Sequence, residues 1–401
     1  MTYDRGTASA SRTDPDASAR GPESFSRLGT VGVEEEFFVV DDDGRPAPAG
    51  KRLAEAGGPP ALADRLDTEM YRCIVETKTP VCEGVDGLAR ELDRIRRELV
   101  AYAGRNGYGV AAAGVHPAAD SAAFEAPSAD GHRSLLDRLR RPQRRNTATG
   151  LHVHVGVDDA DKAVWIANQT RWYLPVLLAL SVNSPFHDGV DTGLASARGH
   201  VFGALPNAGV PPAFDSYDDF ASFRETMLEH GSIAKRGQLW WDVRPNDERG
   251  TVEVRAPDAH DSLTAVLAFA EYVRALVLDL AARYEDGASP VDCRDAFLDA
   301  NRWEAVRYGH DATFVDRDGE GGVDLRTVVD RECRRLDVDG IRRVLGTESG
   351  AARQRRLLRQ RGFAALCDVL RLDTPDALLG GRGAAPRRPR RGPPHRRVSS
   401  P

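Results

Sequence analysis

Hydrophobic and polar positions alternate with a period of two in several short segments of the chain. The segment Thr30–Val40, "TVGVEEEFFVV", is mostly β-branched and aromatic, yet three consecutive glutamates interrupt it. Val, Phe and Thr favour a half-buried strand, whereas ionised carboxylates resist burial. Because side chains alternate faces along a strand, Glu34 and Glu36 share one face and Glu35 points to the other. The segment therefore predicts a strand with two carboxylates on one face.

This arrangement has two interpretations. The charges of an edge strand face water and discourage aggregation, so the glutamates could simply be solvated. Alternatively, two carboxylates on one face suit a hard divalent cation such as Mg²⁺, which takes oxygen ligands. One strand does not decide between these interpretations, because a metal site needs partners from elsewhere in the chain.

Four further segments repeat the alternation. In "GLHVHVGV", His152 and His154 share one face. In "TVEVRAP", Glu253 and Arg255 have the same spacing. The two other pairs are Asp242 with Arg244, and Glu76 with Lys78. Each predicted strand thus has an apolar face and a face of carboxylate, imidazole or guanidinium groups, which together can hold divalent metals and a polyphosphate.

Longer segments with a helical period separate these strands. Helices are predicted over residues 87–107, from residue 163 to just before Pro185, and over residues 262–284. The segment "DTGLASARGHVF" is predicted to be a loop, and "NDERG" to be the turn of a hairpin. Because strands and helices do not alternate with βαβ spacing, the pattern favours an α+β fold with an antiparallel sheet.

Length and composition narrow the class of protein. The 401 residues fit one large domain or two. The sequence has no apolar run near the ~18–20 residues of a membrane helix and no apolar signal segment at its start, so we expect a cytoplasmic protein without a membrane partner. The cysteines are odd in number and form no CxxC pair, which indicates neither a disulfide framework nor a zinc site. They are Cys73, Cys82, Cys293, Cys333 and Cys367.

Charge is distributed unevenly along the chain. The formal net charge is −6, but residues 380–401 contain seven arginines and no acidic residue, so residues 1–379 carry −13. Residues 1–379 contain only four lysines, and this acidic, lysine-poor composition is of the halophilic type, since net charge keeps proteins soluble. A basic tail could bind nucleic acid, but nothing else in the chain supports this, and no nucleic-acid partner is expected. Residues 1–27 and 380–401 are predicted to be disordered, and residues 28–379 to be folded.

The sequence lacks the usual nucleotide-binding loops. It contains no GxxxxGK[ST], and no GxGxxG follows a predicted strand. A P-loop is therefore excluded and a Rossmann site is disfavoured. A bound ATP would have to lie on the antiparallel sheet itself.

Six segments, in order, resemble the motifs of glutamate–cysteine ligase family 2, a group of carboxylate–amine ligases related to glutamine synthetase. They are "GVEEEF", "ETKTPVC", "TGLHVHVGV", "NSPF…DTGLASAR", "WWDVRP…TVEVRAPDA" and "NRWEAVRYGHDA". The resemblance covers about residues 31 to 379 and implies that residues 28–379 are the catalytic domain. It also implies a glutamine-synthetase-like fold, in which the sheet forms a funnel for ATP and metals and helices pack on its outer face.

The resemblance assigns roles to residues of these motifs. It implies that His152 and His154 face the nucleotide and metals, and that Arg255 lies at the transferring phosphate. It further implies that Arg198 and Arg244 clamp a substrate carboxylate or phosphate. The implied metal ligands are Glu34, Glu36, Glu76 and Glu253.

The reaction implied by the resemblance is ATP-dependent amide formation. Glutamate would be phosphorylated on its γ-carboxylate, and cysteine would displace the phosphate to give γ-glutamylcysteine. The cofactors would be ATP and Mg²⁺, with Mn²⁺ as the alternative ion. Two other hypotheses stay open: a ligase of the same family with a different amine acceptor, and a non-catalytic binding protein with the same fold. The sequence does not define the oligomeric state, and a homo-oligomer is compatible with it.

Overall fold

The computed structural model describes residues 21–56, 58–122 and 130–372. The predicted basic tail and most of the predicted N-terminal segment lie outside these ranges. Within the described residues the strands are β1 Val31–Val40, β2 Leu66–Thr68, β3 Ile74–Lys78, β4 Gly109–Ala111, β5 Leu151–Gly156, β6 Phe186–His187, β7 Val190–Asp191, β8 Ala208–Gly209, β9 Trp240–Trp241, β10 Val243–Asn246, β11 Thr251–Val254, β12 Thr313–Val315 and β13 Gly322–Asp324.

The described helices connect these strands and dominate the C-terminal part. They are α1 Gly50–Glu55, α2 Val85–Arg105, α3 Asp130–Leu139, α4 Arg141–Arg144, α5 Ala160–Thr170, α6 Leu174–Ser181, α7 Ala197–Gly203, α8 Tyr217–Glu229, α9 Leu263–Glu285, α10 Asp295–Tyr308, α11 Leu325–Leu336, α12 Gly340–Leu345 and α13 Gly350–Val369. Short 3₁₀ turns cover Pro22–Ser24, Arg171–Tyr173, Arg236–Gln238 and Gly309–Asp311.

A seven-stranded sheet forms the centre of the described structure. Its order is β10-β11-β5-β1-β3-β2, and β4 pairs with the end of β1 that β5 leaves free. Every pairing within this sheet is antiparallel. The predicted α+β class with an antiparallel sheet is therefore confirmed.

The apolar side chains of the central strands lie on the face that the helices cover. Val33, Val153 and Val254 are buried there in one core, and α5 and α9 pack against this part of the sheet. Burying one such side chain stabilises the fold by roughly 1.5–3 kcal/mol. Because alternation sends the next side chain to the opposite face, Glu34, His152 and Glu253 project away from these helices.

Two predictions of local structure are wrong. The single helix expected before Pro185 is two helices, α5 and α6, separated by a 3₁₀ turn; Pro175 lacks an N–H and lies at the start of α6. The segment expected to be a loop contains α7, because the Ser196 hydroxyl accepts a hydrogen bond from the N–H of Gly199 at 2.9 Å and caps a helix there.

The structure describes residues 21–27, the last part of the predicted N-terminal segment. Phe25 is 4% exposed and packs edge-on against Tyr217, with ring centroids 6.0 Å apart. Gly250 has a φ of +65°, and a Cβ there would collide with the carbonyl oxygen of Ser24. Residues 24 and 25 therefore pack on the body of the protein.

All five cysteines are free. Four are buried, and burial raises the pKa of Cys73 to about 12, which makes this thiol unreactive. Among the residues that the structure describes, no helix is both long and apolar enough to cross a bilayer.

Candidate active site

The strand register brings the predicted acidic and imidazole side chains together. Glu34 lies opposite His152 on β5, and Glu36 lies opposite Glu76 on β3. On the other side of β5, His154 lies opposite Glu253 on β11. Directly opposed residues project from the same face of a sheet. Three adjacent pairings therefore place all six side chains on the face away from α5 and α9.

These side chains form two clusters that could hold metal ions. The first contains Glu34, His152 and Glu253, and the second contains Glu36, Glu76 and His152. Within each cluster the ligand atoms lie within 4.8 Å of one another. His152 joins the clusters: its Nδ1 is 3.3 Å from Glu34 Oε2, and its Nε2 is 3.8 Å from Glu36 Oε1.

Burial and mutual repulsion disfavour the charged form of the second cluster. Burial and then the charge of Glu76 raise the pKa of Glu36 to about 7. Burial and then the charges of Glu34 and Glu69 raise the pKa of Glu76 to about 8. A divalent cation would remove this repulsion, because it supplies the largest local charge in such a site. The donor set therefore fits a metal ion.

In the first cluster, by contrast, the carboxylate of Glu253 is charged and the imidazole of His152 is neutral. Although burial opposes it, Arg244 and Arg255 keep the pKa of Glu253 well below its usual range. Burial, and then Arg255, lowers the pKa of His152 to about 3, so its imidazole is neutral. The Nε2 of His154 is buried without a hydrogen-bond partner. Neutral imidazole and carboxylate oxygens are metal-ligating forms, and the oxygen-rich set suits Mg²⁺ or Mn²⁺.

The three predicted arginines lie in different environments. Arg255 donates a hydrogen bond to Glu253, and its Nη1 is 3.4 Å from His152 Nδ1. Its Nε is buried without a partner, which leaves a donor for an anionic ligand. Arg198 is buried and donates to the carbonyl oxygens of Arg255 and Ala256, both at 2.9 Å. Arg198 thus lies behind the backbone of Arg255.

Arg244 lies against Glu253 on the neighbouring strand. It donates to Glu253 Oε2 at 2.8 Å and to the carbonyl oxygens of Leu239 at 2.9 Å and Gly237 at 3.1 Å. These contacts make Arg244 a support for Glu253, and its role as a clamp on a substrate carboxylate or phosphate stays a prediction.

Glu35 lies on the opposite face, as alternation predicts. It accepts two hydrogen bonds from Arg96, at 3.0 and 2.6 Å, and the guanidinium of Arg96 is fully buried. Arg96 also donates to the carbonyl oxygens of His260 and Asp261. A buried pair of this kind is tolerated because each nitrogen of the guanidinium has an acceptor. The signal in the sequence was an arginine within the apolar stripe of α2.

A second buried carboxylate, which sequence reasoning missed, joins three of the recognised motifs. Asp258 accepts hydrogen bonds from the hydroxyls of Ser184 and Ser196, at 2.6 and 2.8 Å, and from the N–H of Asn183 at 2.9 Å. Asp258 Oδ1 is 4.0 Å from Arg198. The segments "NSPF", "GLASAR" and "RAPDA" thereby meet around one acidic side chain behind the site.

Two further charged residues near the site were also missed, because neither lies on a regular strand. Glu69 follows β2, and burial together with the charge of Glu36 raises its pKa to about 8. Arg249 lies in the turn between β10 and β11, and its Nη2 is 2.8 Å from Glu34 Oε1. Period-two spacing gives no signal for either residue.

A cavity of about 960 Å³ adjoins the clusters at the start of β1. Its lining includes Glu34, His154 and Gly32, and Gly32 lies opposite His154 in the register without a side chain to fill the space. The volume is in the range of small-molecule and cofactor sites. The basic residues of its lining are Arg27, Lys235, Arg236 and Arg249. The cavity therefore suits an anionic ligand placed beside the first cluster.

The antiparallel sheet with helices on one face is consistent with the glutamine-synthetase-like type of α+β fold. The chain belongs to glutamate-cysteine ligase family 2 (GCS2), whose family model matches residues 30–371. The predicted family and enzyme class are thereby confirmed.

Two glutamate–cysteine ligases are similar to this chain over nearly their whole length. The glutamate–cysteine ligase of Natronomonas pharaonis is 53% identical over 352 residues, which are 88% of this chain and 97% of the relative. The glutamate–cysteine ligase of Halobacterium salinarum is 52% identical over 355 residues, with 88% and 99% covered.

Two solved structures share the fold at low identity. One is the glutamate–cysteine ligase of Francisella tularensis in complex with AMP, which is 14% identical with a TM-score of 0.62 and covers 86% of this chain and 88% of that one. The other is a bifunctional glutathione synthetase of Pasteurella multocida, also 14% identical with a TM-score of 0.62, covering 85% and 52%. At this identity the similarity supports the predicted fold alone.

Proposed function

We propose that this protein is an ATP-dependent ligase that joins glutamate and cysteine into γ-glutamylcysteine. The observation that carries the proposal is the pair of carboxylate–imidazole clusters beside a basic cavity, in a chain more than half identical to glutamate–cysteine ligases. In this proposal the cavity takes the nucleotide, Mg²⁺ or Mn²⁺ is held by the two clusters, and the enzyme works in the cytoplasm.

The chemistry divides into two displacements. A γ-carboxylate oxygen of glutamate attacks the terminal phosphorus of ATP, which forms a γ-glutamyl phosphate as the bond to the leaving ADP oxygen breaks. The cysteine amine then attacks the acyl carbon, phosphate leaves, and the nitrogen loses a proton to give the amide. Bound divalent ions would neutralise the phosphate oxygens during the first displacement.

The chain's own residues supply positioning and charge. Glu253 is fixed by Arg244 and by the amide of Asn246, at 2.8 Å each, so its carboxylate has little freedom to move. The buried Nε of Arg255 is free to donate to a phosphoryl oxygen next to that carboxylate. Arg198 holds the backbone of Arg255 from behind. Pre-oriented donors of this kind stabilise charge that develops in the transition state.

Phosphate release in high salt tests the proposal. The full chain is incubated with ATP, Mg²⁺ and glutamate, and each of the twenty amino acids is added in turn. Release that requires cysteine supports the proposal, and a γ-glutamylcysteine product confirms it. Release with a different amine favours a related ligase of the same family.

An inactive variant shows whether the phosphate release comes from this protein or from a contaminating enzyme. Glu36→Gln removes one carboxylate of the second cluster and should abolish release, whereas Glu348→Gln changes an exposed glutamate that pairs with Arg356 and should leave release unchanged. If the wild-type chain releases no phosphate with any of the twenty amino acids, the result would support the non-catalytic alternative.

A further inference from the structure

Arg249 contacts a carboxylate of the proposed metal site from the rim of the cavity. Its Nη2 is 2.8 Å from Glu34 Oε1, and Glu34 belongs to the first cluster. The side chain of Arg249 is 42% exposed, whereas that of Glu34 is 9% exposed. The guanidinium therefore reaches a nearly buried carboxylate from the solvent side, and it also lines the cavity.

The backbone that carries Arg249 is fixed on both sides. The side-chain oxygen of Asn246 accepts hydrogen bonds from the N–H groups of Glu248 and Arg249, both at 3.2 Å. Gly250 packs so closely on Ser24 that no Cβ would fit. Because the turn cannot shift easily, a change in the position of the Arg249 guanidinium must come from rotation of its exposed side chain.

A guanidinium and a divalent cation compete at Glu34. Both are positive, so they repel each other at short range, and both draw on the carboxylate oxygens of the same residue. An arginine displaced from Glu34 would turn into a cavity already lined by Arg27, Lys235 and Arg236. The ligand that such a cavity favours is a polyphosphate, which arginine binds through a planar fork of donors.

We propose that Arg249 is an exchange cation: it neutralises Glu34 in the metal-free enzyme, and it moves to the nucleotide phosphates when a divalent ion takes its place. The metal half of this inference follows from the contact with Glu34, and the nucleotide half rests on the proposed function. The consequence is thermodynamic coupling, because the ion that releases Arg249 also supplies a donor to the nucleotide.

Binding of Mn²⁺ alone tests the metal half. In nucleotide-free calorimetric or paramagnetic-resonance titrations, Arg249→Gln should bind Mn²⁺ about tenfold more tightly than the wild type, a typical size for coupling between sites. Arg249→Lys keeps the competing charge and should resemble the wild type. The control Lys235→Gln removes a charge from the same cavity that does not pair with Glu34, and it should change the affinity little. Unchanged affinity in Arg249→Gln, or equal tightening in Lys235→Gln, would overturn the inference.

Binding of ATP in EDTA tests the nucleotide half. In the wild type, Glu34 holds Arg249, so Arg249→Gln should hardly change ATP affinity. In a Glu34→Gln background the guanidinium is released, and the same substitution should weaken ATP binding about tenfold. Equal effects in both backgrounds would refute the exchange. Absence of ATP binding to every variant would refute the nucleotide half, while phosphate release with Mg²⁺ would still decide the proposed function and the Mn²⁺ titration the metal half.

Discussion

At the scale of single residues, the three consecutive glutamates of β1 lie in two different environments. Glu35 is paired with the fully buried Arg96. Glu34 and Glu36 face imidazoles and other carboxylates on the opposite face. Neighbouring substitutions should therefore separate the stability of the fold from the activity of the site.

The first prediction compares alanine at these three positions. Glu35→Ala leaves Arg96 buried without its partner and should lower the free energy of unfolding by about 3–5 kcal/mol. Glu34→Ala and Glu36→Ala should abolish nearly all ligase activity while the free energy of unfolding of the metal-free protein falls far less. Chemical unfolding and phosphate release measure the two effects.

Glu35→Ala should also retain more activity per folded molecule than either neighbour, since its side chain does not reach the site. Equal activity losses at all three positions, with equal changes in stability, would contradict the assignment of faces.

The second prediction concerns Arg255, whose Nε is buried without a partner. Arg255→Lys keeps the charge but loses the planar fork of donors. If the guanidinium meets charge that develops during phosphoryl transfer, kcat should fall by about 10²-fold, the scale of losing one oxyanion donor, with little change in KM for ATP. Steady-state measurements of kcat and of KM for ATP test this prediction.

Arg244→Lys serves as the comparison, because Arg244 also holds Glu253 but donates its remaining hydrogen bonds to carbonyl oxygens. It should raise the Mn²⁺ or Mg²⁺ concentration needed for half-maximal rate more than it lowers kcat. A pure KM effect in Arg255→Lys would assign Arg255 to ground-state binding.

At the scale of secondary-structure elements, strand alternation explains why much of the site could be predicted. Glu34, His152 and Glu253 lie on three strands whose period-two pattern defines a common face, and pairing in register brings them together. Arg249 and Glu69 could not be predicted this way, because the positions of turn and loop side chains depend on contacts between distant segments.

The errors in local structure have a similar cause. Pro175 was visible in the sequence, but a continuous apolar pattern concealed the break between α5 and α6. The cap at Ser196 is a single hydroxyl in a segment of small residues, and its second bond, to Asp258, joins parts of the chain 62 positions apart.

The third prediction concerns the turn after β4, which contains a neutral buried histidine. His116 is fully buried, and its Nδ1 accepts a hydrogen bond from the N–H of Ala118 at 3.1 Å. Burial, and then the nearby charge of Arg45, lowers the pKa of His116 from 6.5 to about 3. Between these values the unfolded chain binds a proton that the folded chain does not. His116 therefore makes the free energy of unfolding fall as the pH falls from 6.5 toward 3.

His116→Asn keeps an acceptor for the Ala118 N–H but cannot titrate. Relative to the wild type, its free energy of unfolding should become larger as the pH falls below 6.5, by up to about 1.4 kcal/mol per pH unit. Urea unfolding at several pH values measures the difference. If the free energies of unfolding of the two proteins changed equally with pH, the assignment of a neutral His116 in the folded state would be wrong.

At the scale of the whole molecule, the fourth prediction concerns the basic segment after Leu379. Its Pro, Gly and Arg composition offers little apolar surface to bury. Truncation after Leu379 should leave the melting temperature and turnover unchanged. A fall of several degrees would mean that the tail packs on the body or on another subunit.

The fifth prediction concerns the N-terminal wall of the cavity. Ser24, Ser26 and Arg27 line the cavity, and Phe25 anchors them against Tyr217. Phe25→Ala should release this wall and raise KM for ATP severalfold with kcat nearly unchanged, the signature of lost uniform binding. Phe25→Leu keeps an apolar anchor and should lie near the wild type. A loss of kcat without a change in KM would contradict this role.

The position of that wall has a consequence for how such enzymes can diverge. The family model begins at residue 30, after the last of these three cavity-lining residues. The matched range therefore does not define the sequence of this segment. Grafting residues 21–29 of another family member onto this chain should transfer nucleotide preference, while acceptor choice stays with the recipient.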